Sequence, residues 1–367
     1  MLNQLSSLRR AFVLPLIAIS FGTAACQPPN TAENTPGGNP ATSPVANTGA
    51  GGNVSLVGAG ATFPAPFYQR CFAEYNQKNP NVRVSYQPVG SGAGVEQFTQ
   101  GTVDFGASDV AITEEQRKKI ERGALTIPLT AGAIVLAYNL PGVEKPIRLP
   151  REVYPAIFTG EIQNWNHPKI AQANPGVNLP DLPIIVVHRA DGSGTTAVFT
   201  EHLSEISPQW KSKVGAGKTV DWPVGIGAKG NQGITAQIQQ TKGAIGYVEY
   251  GYASQNKIPI AVLENNSGNF VEPTAQTAAN ALESIQLPQN LVSFARDPQG
   301  EQAYPIVTYT WLLVYDQYQD PQKAQTIENV VEYALNECQQ FSAELGYVPL
   351  PEEVVKKVEP TVEQIAS

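Results

Sequence analysis

The sequence predicts an open α/β fold, in a chain of 367 residues that is long enough for two domains. Apolar runs typical of buried strands are joined to helical stretches by short polar turns that contain glycine. The composition, 42% hydrophobic and 15% charged, is that of a globular protein and excludes a wholly disordered chain. Ligands of open α/β sheets bind beyond the carboxyl ends of the strands, where these turns must lie.

The first 25 residues are predicted to be an export signal. Two arginines precede an apolar run at residues 11–22, which is too short to span a bilayer and is followed by the small residues Thr23, Ala24 and Ala25 before Cys26. A cysteine in this position resembles that of a bacterial lipobox, so we expect residues 1–25 to be removed and Cys26 to be lipidated. Thr23 departs from the leucine usual in that motif, and a plain secretory signal cleaved nearby is the alternative.

Residues 26–52 are predicted to be a flexible tether. They are rich in Pro and Gly, lack aromatic residues and carry one charge, Glu33, so they cannot bury enough apolar surface to fold. A tether of this length reaches roughly 30 Å, enough to let a globular body float above a membrane. No later stretch is predicted to cross a membrane, since the longest candidate, residues 126–140, suits a buried strand.

The chain is acidic, with a formal charge of −8 that becomes −10 when residues 1–25 and their two arginines are removed. It has no basic cluster interleaved with aromatic residues, so nucleic acid is not a predicted partner. An anion site in such a body must depend on local dipoles and hydrogen bonds. The three histidines lack the spacing of a zinc site, and we expect neither a metal nor a cofactor.

The first two strand-to-helix junctions each present a hydroxyl among glycines. A strand at residues 54–57 leads into the turn 58–64, and Pro66 is predicted to be the first residue of a helix that runs to about residue 79. A second strand, residues 82–86, leads through the glycine-rich turn 90–94 into a helix.

The third junction carries an acid. The strand predicted within residues 103–109 ends on Asp109, and the next helix begins at Thr113 in a capping-box sequence. A carboxylate here could accept a proton from a ligand. The alternative is that Asp109 only caps that helix.

The fourth junction is the most informative. The apolar strand 184–187 is followed by His-Arg-Ala-Asp-Gly-Ser-Gly-Thr-Thr at residues 188–196 and then by a helix. Free backbone N–H groups and hydroxyl donors at a helix start suit a bound oxyanion, and Arg189 adds a planar charged fork. An ordinary capping turn is the alternative, but the repetition of this chemistry at several junctions favours a shared site.

Two other glycine-rich stretches are similar to nucleotide-binding motifs, but neither is predicted to bind a nucleotide. Residues 225–230 have the dinucleotide pattern without a hydrophobic strand before them, and are predicted to lead into a helix around residues 234–240. Residues 215–219 are similar to the end of a P-loop, but Ser212 stands where that motif has its first glycine, and no strand precedes them. Ser91 and Ser193 do not lie in a Gly-x-Ser-x-Gly elbow, so covalent hydrolysis is not predicted.

Cys71 and Cys338 are the only cysteines after Cys26. Cys71 lies in the first predicted helix, and Cys338 ends a helix-like run at residues 323–338. In an exported chain such a pair is either a disulfide or two buried thiols.

Four separated motifs carry a family resemblance: GAGATFPAP at residues 58–66, VDFGASD at 103–109, RADGSGT at 189–195 and GAIGYVEY at 243–250. In this order they resemble the high-affinity phosphate-binding proteins of bacterial ABC phosphate importers. The resemblance implies a two-lobed periplasmic-binding-protein fold with a hinge and an interlobe ligand cleft. It places lobe I at residues 53–129 and 305–367 and lobe II at residues 130–304, so that both Cys71 and Cys338 fall in lobe I and could pair.

The same resemblance implies a set of phosphate ligands. Lobe I would supply Thr62, the backbone N–H of Phe63, Ser91 and Asp109. Lobe II would supply Arg189, Ser193, Gly194 and Thr195, with Asp191 orienting the guanidinium of Arg189. Many members have two consecutive serines where this chain has Ser91-Gly92, so the second hydroxyl is absent here.

The implied function is that of a monomeric extracytoplasmic receptor, held at a membrane by lipidated Cys26, which is not an enzyme. It would bind inorganic phosphate and deliver it to the permease and ATPase subunits of an ABC importer, and ligand would favour closure of the hinge. A receptor for sulfate or molybdate is one alternative. A secreted phosphatase is another, and it would need a metal cluster or an activated nucleophile.

Overall fold

The computed structural model of this chain describes residues 53–365. The predicted signal peptide, Cys26 and the tether lie outside these residues. Among residues 53–365, no helix combines the length and the hydropathy that a membrane span requires.

Strands and helices alternate through most of this region, as the sequence predicts. The strands are β1 (Val54–Gly60), β2 (Val82–Pro88), β3 (Phe105–Ser108), β4 (Leu125–Tyr138), β5 (Arg148–Leu149), β6 (Ile185–Arg189), β7 (Ile226–Ala228), β8 (Ala244–Glu249), β9 (Val262–Glu264), β10 (Phe270–Val271) and β11 (Val307–Val314). The helices are α1 (Ala65–Lys78), α2 (Ser91–Thr99), α3 (Glu114–Arg117), α4 (Val153–Phe158), α5 (Pro168–Ala173), α6 (Gly194–Ile206), α7 (Pro208–Lys213), α8 (Gly230–Gln240), α9 (Tyr250–Gln255), α10 (Ala275–Glu283), α11 (Pro321–Asn336), α12 (Ser342–Leu345) and α13 (Glu352–Val362), with a 3-10 turn at Cys338–Phe341.

The large sheet has the strand order β2-β1-β3-β11-β4-β8-β6-β7, and a small sheet contains β10, β9 and β5. Strand β4 belongs to both halves of the large sheet: Leu125 to Ala133 pair with β11, and Ile134 to Tyr138 pair with β8. We call β2-β1-β3-β11 with the start of β4 the first half-sheet, and the end of β4 with β8-β6-β7 the second half-sheet.

The shared strand is the apolar stretch that the sequence predicts to be buried. Every residue of β4 after Leu125 is buried. Pro128 cannot donate to the ladder, and the pairing of β4 with β11 shifts its register beside it, between Thr310 and Trp311.

Several boundaries differ from the sequence predictions. Strand β3 ends at Ser108, one residue before Asp109, and α11 ends at Asn336, so Cys338 lies in the 3-10 turn that follows it. Helix α1 begins one residue earlier than predicted, so Pro66 is the second helical residue. Helix α2 begins at Ser91 and not after residue 94, because Gly90 takes a positive φ of 98° that completes the turn before it. Residues 226–228 form a short edge strand, β7, within the glycine-rich stretch that precedes α8.

Cys71 in α1 and Cys338 after α11 form a disulfide, with Cα atoms 5.4 Å apart and a sequence separation of 267. Both cysteines are buried. In the chain-entropy account, closing a loop of this length stabilises a fold by on the order of 4–5 kcal/mol.

Candidate functional site

The residues predicted to bind an anion lie together where the two half-sheets meet. The first half-sheet contributes Thr62 and Phe63 after β1, Ser91 at the start of α2 and Asp109 after β3, and the second contributes Arg189 at the end of β6, then Asp191, Ser193, Gly194 and Thr195. Each of these residues lies at or just beyond the carboxyl end of a strand, which is why the α/β pattern could predict their proximity.

Direct contacts join the two sides. The hydroxyl of Thr195 donates to Oδ2 of Asp109 over 3.2 Å, and the backbone N–H of Gly92 donates to the carbonyl of Gly192 over 2.8 Å. Gly194 is packed so closely that a Cβ there would lie 2.6 Å from Oγ of Ser91 and 2.7 Å from Cβ of Asp109. The turn that contains Gly192 and Gly194 therefore lies directly against Ser91, Gly92 and Asp109 and closes the site. A residue with a Cβ at position 194 could not approach so closely.

Arg189 is a buried cation whose hydrogen bonds are only partly satisfied. Its Nε and Nη2 donate to the two carboxylate oxygens of Asp191 over 2.7 and 2.5 Å. The remaining nitrogen, Nη1, is buried and has no hydrogen-bond partner. Burial opposes ionisation of Asp191, but the Arg189 guanidinium holds the pKa of that carboxyl below its usual range. The pair is thus fixed by its own charges, and both N–H groups of Nη1 remain without a protein acceptor.

Asp109 is a buried acceptor. Thr310 donates to Oδ1 over 2.9 Å and Thr195 contacts Oδ2, while the backbone N–H of Asp109 approaches Ser91 Oγ at 3.4 Å. Burial raises the pKa of Asp109 to about 6, although these hydroxyls and the nearby charge of Arg189 lower it. The carboxyl does not cap the next helix, since Thr113 performs that role itself.

Ser193 serves as the cap that the alternative interpretation of its turn predicts. Its Oγ accepts a hydrogen bond from the backbone N–H of Thr196 over 3.0 Å at the start of α6. A hydroxyl that accepts through one lone pair keeps its proton for donation, so capping and binding an anion are compatible at Ser193.

The turn after β1 is held by two tyrosines. Tyr252 donates to the carbonyl of Thr62 over 2.7 Å, and Tyr347 donates to the carbonyl of Phe63 over 2.6 Å. Because both carbonyls accept a tyrosine hydroxyl, the orientation of the backbone in this turn is fixed.

Three further residues belong to this neighbourhood and were missed by the sequence analysis. Asn231, at the start of α8, donates from its backbone and side chain to Oγ1 of Thr62. Thr310 lies in β11 and supports Asp109. Lys218 follows α7, and its carbonyl accepts from the backbone N–H of Ser193 over 2.9 Å.

Lys218 also contributes charge. Burial lowers its pKa, and the carboxylate of Asp109 opposes that shift; in turn the ammonium group is among the causes that lower the pKa of Asp109. The Gly-Ala-Gly-Lys-Thr stretch that contains Lys218 was the only sequence signal for this residue.

Within residues 53–365, no group of three or more His, Cys, Asp or Glu side chains is arranged to hold a metal ion.

Comparisons with known proteins identify relatives over most of the chain. The sequence profile of the PBP superfamily domain matches residues 35–337. The chain is 39% identical over 310 residues to the phosphate-binding protein PstS of Pasteurella multocida, covering 83% of this chain and 89% of that protein. It is 40% identical over 321 residues to the PstS of Methanocaldococcus jannaschii, covering 81% and 82%, and 37% identical over 356 residues to a PstS of Xylella fastidiosa, covering 95% and 96%.

Solved structures share the fold at lower sequence identity. A high-affinity periplasmic phosphate-binding protein bound with phosphate matches with a TM-score of 0.68 at 18% identity, covering 84% of this chain and 93% of that one. A phosphate-binding protein from Stenotrophomonas maltophilia matches with a TM-score of 0.66, also at 18% identity and the same coverage. These likenesses support the two-lobed fold.

Proposed function

Because the chain belongs to the PBP superfamily and, within it, to the PstS phosphate-binding proteins, we propose that it is an extracytoplasmic receptor for inorganic phosphate. It captures phosphate in a cleft between two lobes and delivers it to the permease and ATPase subunits of an ABC importer. The observation that carries this proposal is the buried Nη1 of Arg189, a charged donor without a protein partner. An anion oxygen would satisfy it.

The proposed ligands are the residues that meet between the half-sheets. They are Thr62, the N–H of Phe63, Ser91, Asp109, Arg189, Ser193, the N–H of Gly194 and Thr195, with Asp191 as the orienting partner of Arg189. Asp191 cancels the charge of Arg189, so most of the attraction for phosphate comes from oriented hydrogen-bond donors.

We propose that lobe I comprises residues 53–129 with 305–367, and lobe II residues 130–304. The change of partner within β4, between Ala133 and Ile134, supports the first boundary. The return of the chain to the first half-sheet at Val307 supports the second.

Calorimetric titration with phosphate, sulfate and a phosphate monoester, on protein freed of endogenous ligand, tests the assignment. We expect one phosphate per chain, much weaker binding of sulfate, and no binding of the monoester, because the close approach of Gly92 to Gly192 leaves little room for a substituent. Equal affinities for phosphate and sulfate would contradict a phosphate-specific receptor and indicate a receptor for tetrahedral oxyanions in general.

We propose that the protein performs no hydrolysis, since its relatives are named phosphate-binding proteins and the serine hydroxyls of the site, Ser91 and Ser193, contact backbone N–H groups and not a base. Incubation of the pure protein with a chromogenic phosphate ester should release no product beyond that of a heat-inactivated sample. Steady release would instead favour the phosphatase alternative.

We also propose that lipidated Cys26 anchors the receptor to a membrane and that it acts as a monomer. Intact-mass analysis of detergent-extracted protein should give a diacylated or triacylated chain that begins at Cys26. An unmodified product with another N-terminus would rule out this anchor.

A further inference from the structure

Asn231 occupies an arrangement in which its side-chain amide can point only one way. The residue is fully buried, and its Oδ1 accepts a hydrogen bond from the backbone N–H of Glu249 over 3.0 Å. A backbone N–H can only donate, so the oxygen of the amide must face Glu249 and the nitrogen must face Thr62.

The hydroxyl of Thr62 therefore receives two hydrogen bonds from one residue. The backbone N–H of Asn231 donates to Thr62 Oγ1 over 3.1 Å, and Nδ2 donates over 2.8 Å. A hydroxyl has two lone pairs and one proton. Both lone pairs are occupied, so Thr62 can take part in any further hydrogen bond only as a donor.

The second proton of Nδ2 faces a hydroxyl on the side of the site that the second half-sheet contributes. It points to Oγ1 of Thr195 at 3.4 Å, and the hydroxyl of Thr195 donates to Asp109. Asn231 thus touches one hydroxyl from each half-sheet and acts as a donor toward both.

We infer that Asn231 is a positioning residue that fixes the hydroxyl of Thr62 as a hydrogen-bond donor to the bound anion. This inference rests on the proposed function, and it assigns different hydrogen-bonding roles to Thr62 and Asp109. Thr62 then requires a lone pair on a ligand oxygen, which every oxygen of phosphate offers, whereas the Asp109 carboxylate requires a ligand oxygen that carries a proton. The two residues therefore place opposite hydrogen-bonding demands on the ligand.

The decisive variant is Asn231→Asp. It keeps the shape, the backbone donor and the acceptor for Glu249, but it replaces the Nδ2 donor by an acceptor that would capture the proton of Thr62. Its effect on the phosphate dissociation constant is measured in two backgrounds, native and Thr62→Val. Since the valine background has no hydroxyl to reorient, any loss there reports only the added negative charge.

We expect Asn231→Asp to weaken phosphate binding about 10- to 100-fold more in the native background than in the Thr62→Val background. Equal losses in the two backgrounds would overturn the inference, because a merely structural role or a charge effect does not depend on the Thr62 hydroxyl. If the aspartate variant does not fold, Asn231→Ala is judged in the same two backgrounds by the same criterion.

Asn174→Asp is the matched control. Asn174 is also a buried asparagine whose amide is fixed by backbone groups, with Oδ1 accepting from the backbone N–H of Arg148, but it directly follows α5, away from the site. We expect this variant to lower the melting temperature and leave phosphate affinity unchanged. Failure of the unmodified protein to bind phosphate would refute the proposed function itself, whereas binding with equal losses in the cycle would refute only the role of Asn231.

Discussion

Thr310 holds one carboxylate oxygen of Asp109 from the first half-sheet, and Thr195 approaches the other oxygen from the second. The carboxylate is therefore an acceptor on both sides, at a position where an anion is expected to bind. A negative group in an anion site is unfavourable unless the ligand offers it a proton.

Replacing Asp109 by Asn should narrow the preference for phosphate over sulfate. Phosphate near neutral pH retains a proton for the carboxylate, whereas sulfate has none and would leave a repulsion and an unpaired acceptor, a mismatch that can discriminate by about 10⁴-fold. Asp109→Asn keeps the shape and removes the charge. Titration of the variant should give detectable sulfate binding, and unchanged selectivity would refute this role of Asp109.

Acidification should have a similar effect on the unmodified protein. Burial raises the pKa of Asp109 to about 6, so below that pH the ligand-free carboxyl is protonated and can donate to an oxygen that has no proton. We expect the sulfate dissociation constant to fall as the pH falls through about 6. Asp109→Asn should lose this dependence, so a persistent pH effect in the variant would assign it to another group.

Gly194→Ala should weaken phosphate binding without lowering the stability of the ligand-free protein. A Cβ at this position would lie 2.6 Å from Ser91 Oγ, so the closed arrangement must open, at a cost of about 1–3 kcal/mol for overpacking. Phosphate binding should weaken roughly 5- to 150-fold, while the ligand-free protein keeps or gains stability because Ala favours a helix.

Gly233→Ala in α8 is the control for this substitution, since a Cβ there would meet only Ala228 at an ordinary 3.6 Å. That variant should gain stability without a change in affinity. If Gly194→Ala binds phosphate as tightly as Gly233→Ala, the approach of the two turns is not required for binding.

Lys218 should contribute charge to phosphate binding. Lys218→Met removes an ammonium group that interacts with Asp109, and we expect about fivefold weaker binding, on the order of 1 kcal/mol. Added salt should reduce the difference in phosphate affinity between the variant and the native protein, because salt screens the attraction between the ammonium group and the anion. Lys211→Met, on the exposed surface of α7, should not change the affinity, and an equal effect of both variants would indicate only the net charge of the protein.

The sequence could predict the proximity of Asp109 and Thr195 because each follows the carboxyl end of a strand in one continuous sheet. It could not predict the role of Asn231, which is 169 positions from Thr62 and looks like any polar residue at the start of a helix. Thr310 was missed for a related reason. Its strand reads as a buried apolar run, and only the pairing of β11 with β3 and β4 brings its hydroxyl to Asp109.

The Cys71–Cys338 bond makes a covalent ring of the chain between these residues, and every strand from β2 to β11 lies inside it. A protease that cuts once at any exposed loop of the ring, in either lobe, cannot divide the molecule. We expect such a nicked protein to migrate as one species in a denaturing gel without reductant and as two fragments after reduction. Outside the cytoplasm, where proteases are frequent and replacement requires export, the bond would let a damaged receptor keep both walls of its cleft together.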